Sequence, residues 1–295
     1  MFKKRFALMM SILLVLGVLS ACGNNDSKKS SSSKDSDGTY SGTINAAGST
    51  ALQPLADEAA NSFMTNNPNV SVTVQGGGSG TGINQVASGA VQIGNSDVPS
   101  KDKIEDSSLA DKLQDNKVAG IAFALVVNKD VNVDNLTIKQ IQEIFSGKIK
   151  NWKELGGIDE KINVVNRPAS SGTRATFEKT IMKDAKVNDS IGTSQDSNGA
   201  VEKAIHTTPG SISYLAMSYM IGDKQDALKT IKIDGAEPTI DNISNKSYPF
   251  WSYEYMVTNG KPEGAVKGFI DYVKGEEFAS TVEKMGYIPM SKLQE

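Results

Sequence analysis

Arg167 and Arg174 flank Ser170-Ser171-Gly172-Thr173 in the segment NRPASSGTRATF, residues 166–177, and the only other arginine is Arg5 near the N-terminus. A guanidinium is a planar, permanently charged fork that suits an oxyanion, and hydroxyls and glycine N–H groups add donors without bulk. Three chemistries fit these residues: a serine nucleophile, the phosphate loop of a nucleotide enzyme, and a closed anion-binding site. Two other turns share the composition, Ala47-Gly48-Ser49-Thr50 and residues 76–82 (GGGSGTG). A further turn, Asn95-Ser96-Asp97-Val98-Pro99, offers a carboxylate, which is also what an ordinary Asx turn before proline would contain.

Each turn has to be delivered by the backbone around it. Residues 43–46 read as a short strand, and Leu55, Ala59 and Phe63 follow at helical spacing. Ser49 or Thr50 is the expected N-cap, with Pro54 in the first turn, where a missing N–H costs little. Residues 70–74 (VSVTV) alternate strictly, which predicts a strand, and Ile83, Val86 and Ala87 beyond the glycine run predict a helix. Residues 162–165 (INVV) form the third strand, and Phe177 and Ile181 continue a helix after the arginine segment. Residues 91–94 (VQIG) predict a buried strand with Asp97 beyond its carboxyl end, where ligands of open α/β sheets bind. Three turns therefore open helices, whose free N–H groups and roughly half a unit of positive charge attract anions. Ser and Thr are ordinary N-caps, so one such turn means little. Three of them, one holding both downstream arginines, point to a shared oxyanion.

The enzymatic readings fare worse. Gly147-Lys148 and Gly260-Lys261 are each followed by the wrong residue for a nucleotide P-loop, and the glycine run has Ile83 or Gln85 where a dinucleotide fingerprint needs its last glycine. Ser79 is not in a GxSxG elbow, because Thr81 holds the last place. His206, the only histidine, ends a helical pattern before Pro209, which suits a capping or surface role. One histidine and one cysteine leave no metal set, and no cofactor is expected. Trp152 and Trp251 are read as core or lobe-surface residues.

The N-terminus indicates export. Lys3, Lys4 and Arg5 precede an apolar stretch, residues 6–18, that is short for a bilayer span, and Leu19-Ser20-Ala21 leads into Cys22, the only cysteine. That spacing resembles the bacterial lipobox, so residues 1–21 are expected to be a lipoprotein signal peptide and Cys22 to carry the lipid. Residues 24–38 are Ser/Lys/Asp low complexity without an apolar side chain, and 22–39 are expected to be an anchored, unfolded tether. Removing 1–21 takes three of the 31 basic residues and none of the 34 acidic ones, leaving a formal charge of −6. Such a balance argues against nucleic acid as a partner. The 256 residues from Tyr40 onward are enough for a two-lobed α/β protein.

The turns quoted above, in this order and spacing, resemble the ligand segments of the phosphate-binding lipoproteins of bacterial high-affinity phosphate ABC importers. Residues 209–214 (PGSISY), Tyr248-Pro249 and residues 286–289 (GYIP) extend the resemblance over essentially 42–292. It implies an α/β, type II periplasmic-binding-protein fold, with two α/β lobes joined by two crossover strands and the ligand cleft between them. Lobe I would be 41–124 plus 254–295 and lobe II 125–253, with crossovers at 121–127 and 253–257. The ligand would be inorganic phosphate, held by Ser49, Thr50, the Ala51 N–H and Ser79 from one lobe and by Arg167, Ser171, Gly172 and Thr173 from the other. Asp97 would read the ligand's proton: an ionised carboxylate only accepts hydrogen bonds, so it suits phosphate, which carries a proton near neutral pH, over sulfate. Arg174 is open between a surface charge and a partner of Asp97. Also implied are importer permease subunits with their cytoplasmic ATPase as partners, a monomer anchored through Cys22 at a Gram-positive cell surface, and no catalysis. The rival readings are a receptor for another tetrahedral oxyanion such as sulfate or molybdate, a secreted serine hydrolase or phosphatase using Ser79 or Ser171, and an adhesin.

Overall fold

A computed structural model describes residues 33–34, 40–104, 106–222 and 228–293. The signal segment and Cys22 lie outside the described residues. Two residues of the stretch expected to be a tether, Ser33–Lys34 (β1), pair antiparallel with the start of β2 (Tyr40–Gly48).

The first half is built on strands that alternate with helices. After β2 come α1 (Gln53–Asn66), β3 (Val70–Gln75), α2 (Ser79–Ala87) and β4 (Ile93–Ser96), and both β3 and β4 lie parallel to β2. A short α3 (Ser107–Ala110) then leads to the long β5 (Leu113–Val127). The second half contains β6 (Asn135–Leu136), α4 (Ile138–Phe145), β7 (Asn163–Asn166), α5 (Gly172–Phe177), β8 (Thr193–Ser194), α6 (Asn198–Thr207), β9 (Ser211–Ala216), β10 (Lys229–Ile233) and α7 (Ile240–Ser244). The chain returns through β11 (Trp251–Asn259) and closes with α8 (Gly264–Lys274), α9 (Glu276–Lys284) and β12 (Tyr287–Pro289).

Among the described residues twelve strands join into one mixed sheet, whose main path runs β1-β2-β4-β11-β5-β9-β7-β8. β5 is the shared strand: it pairs with β11 up to Ala122 and with β9 from Phe123 onward. Its residues 118–127 are all buried, as expected of a small and apolar run covered on both faces. In the first half α1 buries Leu55, Ala56, Ala59 and Phe63, and Phe63 meets Phe269 of α8 edge-on at 5.5 Å. In the second half Phe177 stacks on Tyr214 at 4.1 Å and touches Phe145 and Phe250, which pins α5 to β9. Burying a large apolar side chain contributes about 1.5–3 kcal/mol, so this cluster holds the arginine segment firmly from beneath.

One sequence expectation shifts. The strand expected at 91–94 lies at Ile93–Ser96, because Gln92 bonds to Asn45 through its side chain as well as its N–H and so precedes the regular ladder. Trp152 is a core residue as expected, with its Nε1–H donating to the Gly210 carbonyl at 2.9 Å.

Candidate functional site

β2 ends at Gly48 with φ +135°, a conformation that L side chains rarely adopt, and a Cβ there would collide with the Asn95 carbonyl. This close approach lets Ser49 N–H donate to Asn95 O at 2.8 Å, tying the first turn to the end of β4. Neither Ser49 nor Thr50 caps α1. The helix starts at Gln53 with Leu52 in the cap position, while Ser49 Oγ accepts from the N–H groups of Ala51 (3.0 Å) and Leu52 (3.1 Å). The serine satisfies a tight turn ahead of the helix rather than the helix itself. Thr50 Oγ1 accepts from the N–H and Nδ2 of Asn198, at 3.2 and 2.9 Å, at the start of α6 in the other half. Tyr219 OH donates to the Thr50 carbonyl at 3.0 Å.

The glycine run leads into α2 as expected. Gly78, with φ +86°, sits in the cap position and Ser79 is the first helical residue. Ser79 Oγ accepts from the Asp97 N–H at 3.0 Å, and Gly80 N–H donates to the Ser170 carbonyl at 2.9 Å, so α2 touches the arginine segment directly.

In that segment Ser171 caps α5 by accepting from Arg174 N–H at 3.2 Å. Arg167 is only 1% exposed. Its Nε and Nη2 donate to the carbonyls of Gln195 (2.9 Å) and Asp196 (3.2 Å), while Nη1 is buried with no acceptor. Gly172 packs so closely that a Cβ would lie 2.9 Å from Asp97 Cβ. Arg174 proves neither a surface charge nor a partner of Asp97. It forks onto Asp189 (2.5 and 3.0 Å), pairs with Glu178 (2.9 Å) and donates to the Arg167 carbonyl (2.7 Å). Arg174 therefore braces the loop that carries Arg167.

Asp97 is where the turns meet. Its Oδ1 accepts from Ser49 Oγ, its Oδ2 accepts from Thr173 Oγ1 at 2.9 Å, and its carbonyl accepts from Ser252 Oγ at 2.6 Å. Burial pushes its carboxyl above the usual range, and the Ser49 and Thr173 hydroxyls and the Arg167 charge pull it back. Ser49, Ser79, Asp97, Gly172 and Thr173 thus touch one another. Arg167 faces them as a charge, Ser171 shapes their loop, and Thr50 and Ala51 belong to the first turn. Lys103 Nζ adds a link between the halves by donating to the Ala169 carbonyl at 2.7 Å.

Three residues escaped the sequence reading. Asn198 opens α6 after its cap Ser197, so the segment Ser197-Asn198-Gly199 carries the same Ser/Gly signal as the other turns. Tyr219 and Glu254 have no such signal, because they reach the site only through the fold. Glu254 is fully buried beside Asp97.

Chemically this is a set of hydrogen-bond donors around one acceptor, with a buried cation. His206 lies exposed in the last turn of α6. Among the described residues no group of three or more His, Cys, Asp or Glu side chains could hold a metal ion, and no helix is long and apolar enough to cross a membrane.

A family model for the PBP superfamily domain matches residues 33–277. The phosphate-binding protein PstS of Bacillus subtilis is 44% identical over 99% of this chain and 96% of its own length. A Clostridium perfringens structure, described as a phosphate ABC transporter substrate-binding protein with bound phosphate, is 31% identical and superposes with a TM-score of 0.76. It covers 84% of this chain and 99% of that one. An ABC-type phosphate transport receptor from Vibrio cholerae is 29% identical, with a TM-score of 0.66 over 83% of this chain and 99% of its own.

Proposed function

The chain belongs to the PstS phosphate-binding proteins of the PBP superfamily, and we propose that it captures one inorganic phosphate between its two lobes and hands it to an ABC importer without chemical turnover. The observation that carries this reading is Asp97, a buried carboxylate surrounded by donors. Near neutral pH phosphate still carries a proton to give to such an acceptor, while its other oxygens accept from hydroxyls, N–H groups and a guanidinium. Arg167 Nη1, buried with no acceptor, is the charged donor suited to the anion. Ser49, Thr50, the Ala51 N–H and Ser79 serve from lobe I, and Ser171, Gly172 and Thr173 from lobe II. Hydroxyls that now bond to Asp97 rotate to the ligand when it enters.

Lobe I comprises 41–124 with 254–295 and lobe II 125–253, so the crossovers fall on β5 and β11. Contacts to one ligand from both lobes favour the closed arrangement, in which excluded water strengthens each charged hydrogen bond. The chain acts outside the cytoplasm as a monomer, anchored through lipid on Cys22 at a Gram-positive cell surface, and docks on importer permease subunits driven by a cytoplasmic ATPase. Titration calorimetry of the mature chain with phosphate tests this. One site per chain, with no release of phosphate from an ester, is expected. Ester hydrolysis would restore the serine-hydrolase reading, and absence of phosphate binding would end this one.

A further inference from the structure

Glu254 is a second buried carboxyl at the site, and the binding reading above gives it no task. It lies on β11 at the irregularity between Glu254 and Tyr255, where β5 carries one residue more than β11. Such bulges re-aim side chains next to functional sites. Tyr255 pairs with Ser96 on β4, so the following step of the antiparallel ladder sets Glu254 beside Asp97.

The two carboxyls have unequal surroundings. Asp97 receives the Ser49 and Thr173 hydroxyls and faces the Arg167 charge. Glu254 is 0% exposed, and no N–H or hydroxyl donates to either of its oxygens. The ionisable groups that act on it are Asp97 beyond β4, the phenol of Tyr287 on β12 and the phenol of its strand neighbour Tyr255, while the Arg167 charge acts on Asp97. Lys117 of β5 sits over the Tyr253 ring, 4.1 Å from its centre, and side chains 253 and 254 leave β11 on opposite faces. Burial first, and then the neighbouring Asp97 charge, push the Glu254 carboxyl well above the ordinary carboxylate range. Two buried carboxyls with one nearby cation hold one negative charge between them, and the donors and the cation all gather on Asp97.

We infer that Glu254 is held as a neutral acid whose hydroxyl donates to Asp97, and that this donation keeps Asp97 an ionised acceptor able to read the proton on the ligand. Glu254 is then a positioning residue for oxyanion selectivity, a role that rests on the phosphate reading. Without a donor at this position, burial drives a proton onto Asp97 itself. A protonated Asp97 donates, and so welcomes a fully deprotonated oxyanion such as sulfate.

Infrared difference spectroscopy reads the proton directly. The wild-type chain at neutral pH is expected to show the C=O stretch of a buried protonated carboxylic acid, and Glu254→Gln to lack it. No such band in the wild type overturns the inference, as does a band that survives Glu254→Gln and vanishes in Asp97→Asn. Calorimetric titrations with phosphate and sulfate add the functional half. Glu254→Leu should narrow the preference for phosphate by at least about tenfold, and Glu254→Gln, which keeps an N–H donor, should restore most of it. An unchanged preference in folded Glu254→Leu overturns the positioning role. If Glu254→Leu does not fold, the wild-type and Glu254→Gln spectra still decide. Should the wild type bind neither anion, the phosphate reading fails while the infrared result still assigns the proton.

Discussion

Replacing Arg167 with methionine removes the buried cation while keeping an unbranched side chain in its space. Arg167 is 1% exposed, two of its nitrogens bond to the carbonyls of Gln195 and Asp196, and the third, Nη1, has no protein acceptor. Truncating one partner of a buried, hydrogen-bonded charge pair costs about 2–5 kcal/mol. Here Asp97 also loses its counter-charge, which places the expected loss in the upper part of that range, about 3–5 kcal/mol. At about 1.4 kcal/mol per tenfold, phosphate affinity should fall by between two and nearly four orders of magnitude. Titration calorimetry measures it, with circular dichroism to establish that the variant is folded. Arg174→Met is the matched control. Its partners Asp189 and Glu178 are well exposed, so their ion pairs contribute little, and its contact with the ligand loop is one hydrogen bond to the Arg167 carbonyl. That variant should lose stability yet bind phosphate within about tenfold of the parent. If folded Arg167→Met binds within tenfold of the parent, or if the two arginines prove interchangeable, the assignment of Arg167 as the ligand cation is wrong.

Other consequences follow from single contacts. Gly172→Ala drives a methyl onto Ser79 Oγ and within 2.9 Å of Asp97 Cβ, and overpacking of about 1–3 kcal/mol should weaken phosphate binding roughly ten- to hundredfold in the same titration. Unaltered affinity there would show that the two turns have room to separate. Asn198→Ala removes the Oδ1 acceptor of the buried Ala216 N–H and the Nδ2 donor to Thr50 Oγ1, leaving only the backbone N–H to that hydroxyl, so the urea unfolding midpoint should drop by the equivalent of about 1–3 kcal/mol. A midpoint equal to the parent's would place no weight on that link. Because the Glu254 carboxyl is raised in the folded chain, the folded state keeps a proton that the unfolded state releases above its ordinary value of 4.5. Stability should therefore fall as pH rises from there towards the raised folded value, by up to about 1.4 kcal/mol per pH unit, with raised Asp97 adding in the same direction. Urea denaturation between about pH 5 and 8 should show a shallower slope for Glu254→Gln than for the parent, and equal slopes would contradict the shift.

Local pattern made the turns legible and left their partners hidden. A strand that ends in Ser, Thr and Gly before a helical repeat announces a helix N-terminus, so Ser79 and Ser171 stand where spacing placed them. The same rule misplaced the start of α1, because Ser49 caps the two N–H groups that follow it and the helix waits until Gln53. Arg174 was ambiguous from spacing, since its partner Asp189 comes from a later loop that no periodicity connects to it. Glu254 was invisible for a different reason. In WSYEYMV a glutamate between tyrosines reads as the polar position of an alternating strand, and only the bulge and the pairing with β4 turn it inward beside Asp97. The turn that begins at Ser197 could have been found, because it repeats the Ser/Gly signal before α6.

Discrimination between two anions of the same shape tests the role of Asp97 most directly. Phosphate and sulfate are titrated separately, by calorimetry, into the mature chain near neutral pH. Phosphate should bind at one site, with sulfate weaker by at least about a hundredfold, because its oxygens offer no proton to the buried carboxylate. Sulfate binding as tightly as phosphate would contradict it.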